Sequence, residues 1–227
     1  MVVRLISQLA NLANPNIARV VVTHNRPDPE MPKPLNARFD FVQVHNPRPL
    51  GFAVNHNNAF GYCDTPWFAV LNPDVELTLG DPFPALIETG EAHPDLGVLG
   101  PTLVDPATMR QEKPRGRVTP YEIIRRRLPG WQPPDSPAWI VGAFLMIRSS
   151  AFRQIGGFDE RYRLYCEDVD LSVRMQLAGW TVECMKDVLV LHHKQHGSHR
   201  SMQYAFWHLS SLYRLWTSSL RRRFSSS

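Results

Sequence analysis

A chain of 227 residues that is 43% hydrophobic, with both charge signs interspersed, is long enough for one compact domain with a substantial core and too short for two full ones. A formal charge of +4, much of it carried by Arg125-Arg126-Arg127 and Arg221-Arg222-Arg223, favours contact with an anionic surface; without aromatics interleaved in a shared groove, these triplets do not make a nucleic-acid module. Three cysteines, Cys63, Cys166 and Cys184, are odd in number and have no C-x-x-C spacing, which excludes a disulfide framework or a zinc ribbon and points to a reducing cytoplasm.

In chain order, Val2, Leu5, Ile6, Leu9, Leu12 and Ala13 recur at helical spacing until Asn14-Pro15-Asn16 stops the pattern, so the chain opens with an amphipathic helix and not with the apolar block of a signal peptide. Residues 18–23 (ARVVVT) and 39–44 (FDFVQV) read as strands, separated by a loop holding Pro27, Pro29, Pro32 and Pro34. A short helix is expected over 51–63. Residues 67–71 (WFAVL) form a continuous apolar run of the kind covered on both faces, ending in Asn72-Pro73-Asp74. Further on, 83–90 reads as a helix, 97–104 as a strand and 113–137, with its prolines and three arginines, as a mobile loop. The most apolar strand candidate is 138–147, too short to cross a bilayer. A helical turn follows at 149–155, then a helix over 168–178 with an acidic start and Gly179 as its cap, a short strand over 188–191 and an amphipathic helix from Met202 to Leu220. Strands alternating with helices indicate an α/β sheet whose ligands gather at the carboxyl ends of strands.

Three polar clusters follow apolar strands or open a helix: Asn72-Pro73-Asp74, Glu167-Asp168-Val169-Asp170 and His192-His193. A short acidic element at a strand end, completed by an imidazole, suits a hard divalent ion that clamps a diphosphate. Each cluster also has an ordinary structural reading: Asn-Pro-Asp is a common turn, Glu167-Asp168 suits a helix dipole, Asp170 and Arg174 have the spacing of an i, i+4 ion pair, and a strand-end histidine is commonly a hydrogen-bonded structural residue.

Their joint order resembles glycosyltransferase family 2, and within it the rhamnosyltransferase-like branch that builds bacterial surface polysaccharides. The segments that carry the resemblance are GFAVNHNNAF, FAVLNPDVEL, VGAFLMIRSSAFRQIGGFDERYRLYCEDVDLSVRMQLAGW, LVLHHKQHGSHRS and YAFWHLSSLYRLW, in the family's order from Ala18 onward. The resemblance implies a GT-A, Rossmann-like fold with a mostly parallel central sheet flanked by helices. It places the catalytic domain at 1–200, with 201–227 an amphipathic helix and basic tail. It also implies that the family's first strand is missing, because the chain starts inside the helix that follows that strand in relatives.

For the site, NPDVEL resembles the family's D-x-D element, which makes Asp74 a metal ligand and Asn72 its neighbour in the nucleotide-sugar pocket, bordered by Gly51 and Asn57. His192 matches the histidine that completes the metal site, with His193 and His196 less well placed. Asp168 matches the general base of inverting members, Glu167 supports it, and Asp159, Glu160 and Asp170 fall where relatives contact the acceptor or shape the site. The implied activity is inverting transfer of a sugar, L-rhamnose from a dTDP donor, with Mg²⁺ or Mn²⁺, to a glycan or polyprenyl-linked acceptor. Peripheral contact with anionic lipid at the inner face of the plasma membrane goes with it. Two alternatives stay open: the same fold with a UDP-hexose donor, or a catalytically silent remnant that only binds. His24-Asn25 stands where relatives often carry Asp-Asn, so the base that is recognised does not follow from the residues.

Overall fold

The structure is a computed structural model that describes residues 1–193 and 202–218. Helix α1 (Val2–Leu12) buries Leu5, Ile6, Leu9 and Ala10, the stripe that its spacing foretold, and stops at Ala13 in the left-handed region. Strands β1 (Arg19–His24) and β2 (Asp40–His45) pair in parallel as a two-stranded sheet. Helix α2 (Phe52–Phe60) leads to β3 (Trp67–Leu71) and the two-residue β4 (Val75–Glu76). Then come α3 (Phe83–Ala92), β5 (Leu96–Val104), α4 (Pro120–Arg125), β6 (Phe144–Arg148) and α5 (Ser149–Gln154), followed by α6 (Glu167–Leu177), β7 (Thr181–His192) and α7 (Met202–Thr217).

The main sheet has the order β3-β6-β5-β7-β4. Only β5 and β7 run parallel in it; β3 with β6, β6 with β5, and β7 with β4 are antiparallel. The expectation of a mostly parallel sheet is therefore corrected to a mixed one. The physical reason is that a strand buried on both faces reads as an unbroken apolar run in either direction, so Phe144–Arg148 carries no sign of its polarity. Among the described residues β1 pairs only with β2 and β3 only with β6, so no ladder joins the two sheets.

Both faces of the main sheet are covered. Phe144 and Met146 of β6 join Leu5, Ile6, Leu9, Leu86 and Leu99 on the α1 and α3 side. Leu145 and Ile147, pointing the other way, join Ala53, Val70, Phe152, Leu171 and Met175 on the α2, α5 and α6 side. All nine residues of β5 are buried, as its central position requires. Helix α7 docks on α6 through Leu215, which packs with Tyr162, Val169 and Val173.

Three further expectations need correction. The segment 113–137 contains α4, started by Thr119, whose hydroxyl accepts from Glu122 N at 3.1 Å, and by Pro120 at the first helical position. Its flanks are tied by Ala138 N to Arg115 O, by the Trp139 indole to Gly116 O and by the Trp216 indole to Val118 O. Residues 138–143 do not continue β6, because their backbone is spent on α6 and on the end of β3. Finally, β7 begins seven residues before the expected 188 and β4 was not expected at all.

Candidate active site

Strand β3 ends at Leu71, and the Asn72 amide donates to Ala143 O at 2.8 Å. One residue earlier, Gly142 N donates to Asp168 Oδ2 at 2.9 Å, at the first turn of α6. The Gly142-Ala143 pair thus ties the Asn72-Pro73-Asp74 turn to the acidic helix start. Asp168 Oδ1 accepts from Val169 N at 2.9 Å, so two backbone donors fix the carboxylate. Immediately upstream, Tyr165 and Cys166 both have positive φ, 71° and 65°. Non-glycine residues in that region cost about 1–3 kcal/mol each and cluster at functional sites.

The turn continues into β4, where Val75 pairs with His192 and the Asp74 carbonyl accepts from His193 N at 2.9 Å. This register sets the two expected metal ligands together: His192 Nε2 lies 3.7 Å from Asp74 Oδ1. On the other edge of the ring, His192 Nδ1 lies 3.5 Å from Glu112 Oε1. Both distances are ion-pair contacts and too long for hydrogen bonds. Glu112 in turn binds Arg115, and Arg115 is near enough to Asp168 to pull its pKa downward. Asp74, His192, Glu112, Arg115 and Asp168 form one continuous cluster. His193 points elsewhere, to Glu76 at 2.6 Å, and Glu76 also meets Arg4 at 3.1 Å; this is a structural ion-pair network. His196 lies outside the described residues.

Burial, which on its own lowers a histidine, is outweighed at His192 by Asp74 and Glu112, so the imidazole is pushed up to about 9. Burial, with the charge of Asp168 added, pushes the Glu167 carboxyl up to about 8. Asp168 is also raised by burial, but its two backbone N–H donors oppose the shift, whereas Glu167 Oε2 has no hydrogen-bond partner. Two backbone donors thus favour the ionised form of Asp168, and no such donor reaches Glu167 Oε2.

The remaining expected residues serve the frame. Asn57 donates to Phe158 O and Glu160 Oε1, both at 2.9 Å, and accepts from Phe158 N at 2.9 Å. Its amide is thus spent on the GFDE loop, where a Cβ on Gly157 (φ +75°) would lie 2.6 Å from Asn57 Oδ1. Gly51 lets the start of α2 approach residue 163, since a Cβ there would meet Arg163 O at 2.9 Å. Asp159 is gripped by Arg161, which holds its carboxyl below the usual range although burial alone would raise it. Asp170 is buried and bonded to Arg174 at 2.6 Å, and Arg174 also donates to Ile155 O and Gly157 O. The pair is a buried clamp, not the solvated ion pair of the structural reading. No contact in the structure assigns Asn57, Gly51, Asp159 or Asp170 to a ligand.

Glu112 and Arg115 were not foreseen. Glu112 N donates to Leu103 O at 2.8 Å, which brings the chain back beside β5 after the turn at Asp105. Both residues line a cavity of about 480 Å³ with Thr102, Trp139, Phe144 and Lys186. A larger hollow of about 700 Å³, lined by Arg19, Asp40 and Cys63, contains none of the clustered acids.

Among the described residues no set of three or more His, Cys, Asp or Glu is arranged to hold a metal by itself. The donors present nevertheless fit a hard divalent cation: a carboxylate oxygen and an imidazole, 11–16% exposed, with Asp74 Oδ1 buried and without a hydrogen bond. Mg²⁺ and its like are commonly held by one or two carboxylates, with substrate phosphates and water supplying the rest.

Comparison with known proteins bears on the family. Residues 131–223 match the family described as "Glycosyl transferase family group 2". An N-acetylglucosaminyl-diphospho-decaprenol L-rhamnosyltransferase of Mycobacterium tuberculosis is 37% identical over 154 residues, covering 59% of this chain and 49% of that protein. Rhamnosyltransferase WbbL of Escherichia coli is 38% identical over 77 residues, 34% of this chain and 29% of that one. The chain therefore spans about half the length, or less, of these curated relatives. Among solved structures, a mannosyltransferase of Pyrobaculum calidifontis in complex with GDP-Man and Mn²⁺ superposes with a TM-score of 0.53 at 15% identity, covering 77% of this chain and 46% of that one, which speaks for the fold. The fold is that of GT-A glycosyltransferases, and over the matched parts the chain is similar to glycosyltransferase family 2 and to rhamnosyltransferases within it.

Proposed function

We propose that this chain is the catalytic part of an inverting glycosyltransferase that moves L-rhamnose from dTDP-L-rhamnose to a polyprenyl-linked glycan in cell-envelope polysaccharide synthesis. The observation that carries the reading is the tie between Asp168 and the Asp74–His192 pair through the two consecutive residues Gly142 and Ala143. In this reading the acceptor hydroxyl oxygen forms a bond to the anomeric carbon while the carbon–oxygen bond to the diphosphate breaks, and the hydroxyl proton passes to Asp168. A single displacement inverts the anomeric centre. Asp168 suits the base because two backbone donors fix and aim its carboxyl group, and Glu167, pushed up to about 8 beside it, adds little competing charge. Asp74 and His192 would hold Mg²⁺ or Mn²⁺, which when bound neutralises the charge developing on the leaving diphosphate. The rhamnosyl donor and the lipid-linked acceptor are supported by the likeness to the mycobacterial relative.

No helix among the described residues is long and apolar enough to cross a membrane. Helix α7 instead exposes Met202, Phe206, Leu209 and Tyr213, spaced along one stripe, and α4 with the turn after it exposes Tyr121, Ile124 and Leu128 beside Arg125, Arg126 and Arg127. Exposed apolar side chains flanked by arginines suit peripheral contact with anionic lipid at the cytoplasmic face, where a polyprenyl acceptor resides.

The direct test is transfer by the purified chain from dTDP-L-rhamnose, with UDP-glucose as the competing donor, to an N-acetylglucosaminyl-diphospho-polyprenol acceptor with and without Mn²⁺. Rhamnosylated lipid formed only with metal is expected. Transfer from UDP-glucose alone would reassign the donor, and neither transfer nor donor binding would leave a binding role only.

A further inference from the structure

An imidazole presents nitrogens at two edges, and a cation takes one of them. The other carries a proton, and the acceptor it finds decides which tautomer forms and how the ring is aimed. In this chain Nε2 of His192 faces Asp74 Oδ1 at 3.7 Å, and Nδ1 faces Glu112 Oε1 at 3.5 Å. Glu112 is itself held in place: its backbone N donates to Leu103 O at 2.8 Å, and its second oxygen, Oε2, is bound by Arg115. Arg115 lies over the Trp139 ring at 5.7 Å, so the support behind Glu112 reaches the wall of the cavity. Glu112 meets the ring at the nitrogen turned away from Asp74, which suits an orienting partner and not another oxygen on the same ion.

We propose that Glu112 is a positioning residue whose Oε1, 3.5 Å from His192 Nδ1, closes to accept a hydrogen bond from Nδ1–H when a cation is bound and so directs the Nε2 lone pair to the cation shared with Asp74, with Arg115 anchoring Glu112. This rests on the metal reading of the site. It gives a role to the Glu112-Lys113-Pro114-Arg115 turn that neither the motif pattern nor the resemblance supplied.

The experiment is Mn²⁺ titration calorimetry on the full 227-residue chain, wild type beside Glu112→Ala, Glu112→Gln and Asp74→Ala, with thermal melts as the folding control. Loss of an orienting partner typically weakens a metal by about 10–100-fold, which is the drop expected for Glu112→Ala. Glu112→Gln, whose amide oxygen still accepts a proton, should stay within a few-fold of wild type. With Mg²⁺ bound, side-chain ¹⁵N spectra should show His192 protonated at Nδ1 and bare at Nε2, a signature that mere loosening of the fold does not produce. Wild-type affinity in Glu112→Ala, or a proton on Nε2, would overturn the role of Glu112 and leave the Asp74–His192 site intact. Equal weakening by Ala and Gln would make Glu112 a direct ligand and also overturn it. No Mn²⁺ binding by wild type, or binding unchanged in Asp74→Ala, would sink the metal reading itself and this inference with it.

Discussion

The amide of Gly142 donates to Asp168 Oδ2 at 2.9 Å, and the carbonyl of the next residue, Ala143, accepts from the Asn72 amide at 2.8 Å, so two consecutive residues set the acid of α6 beside the turn after β3. That bond needs only an acceptor at position 168, not a base. Asp168→Asn should therefore keep the fold and the donor affinity within a few-fold while lowering kcat by about 10²–10⁴, the usual worth of general-base help. Steady-state kinetics beside donor titration checks this, and an unchanged kcat would remove Asp168 from the role.

Stability should fall as pH rises through the weakly basic range. Glu167, whose carboxyl burial and Asp168 raise from 4.5 to about 8, binds its proton more tightly when folded. Its stabilisation is complete below about pH 4.5 and is lost as pH rises through about 8. His192 is raised from 6.5 to about 9 by Asp74 and Glu112 against burial; its share is complete below about pH 6.5 and lost through about 9. Both slopes have the same sign, so the Tm of the metal-free chain should drop between pH 6.5 and 9. Thermal melts of wild type and Glu167→Gln at several pH values test this, the variant being expected to lose the part of the slope that lies between about pH 4.5 and 8.

Asn57 binds both ends of the Phe158–Glu160 turn with three hydrogen bonds. Asn57→Ala leaves the half-buried Phe158 amide without its acceptor, a loss of about 1–3 kcal/mol. A denaturant midpoint lowered by that amount at unchanged slope is expected, and an unaltered midpoint would show that the turn holds without the clamp.

For the exposed stripe on α7, Phe206→Ser combined with Leu209→Ser should weaken partitioning to phosphatidylglycerol vesicles by roughly tenfold or more, since each large apolar side chain that enters lipid gains about 1.5–3 kcal/mol. Vesicle flotation measures it. Equal partitioning of wild type and variant would take this surface out of membrane contact.

Much of the fold is legible in the residues. The helical spacing of Val2 to Ala13, the unbroken WFAVL run and the acidic start and glycine end of α6 each specify an element through local physics. The first half of β7 is hidden for an equally physical reason. Thr181 and Glu183 pair with β5 on one side, Lys186 and Asp187 fall in the register break before Leu189, and β4 reaches only His192 and Leu191 on the other side, so the strand begins at a sheet edge with polar, exposed side chains and no apolar run. The same limit governs the site. Asp74, Asp168 and His192 stand in recognisable motifs, but Glu112 reaches His192 only because the chain turns back along β5 after Val104, a long-range pairing that no spacing encodes. Asn57 shows the converse: its motif suggests a ligand, and the fold spends it on a turn.

The missing ladder between the β1–β2 pair and the larger sheet has a kinetic consequence. Backbone hydrogen bonds make a sheet open cooperatively; side-chain contacts alone, such as Val20, Val22 and Phe41 against the α1 side of the core, do not carry that cooperativity across a seam. The amides of Arg19 to His45 should exchange with solvent through an opening of their own, ahead of those in β5 and β6, making this corner a separate foldon that can loosen while the cluster of Asp74, His192, Glu112 and Asp168 stays assembled.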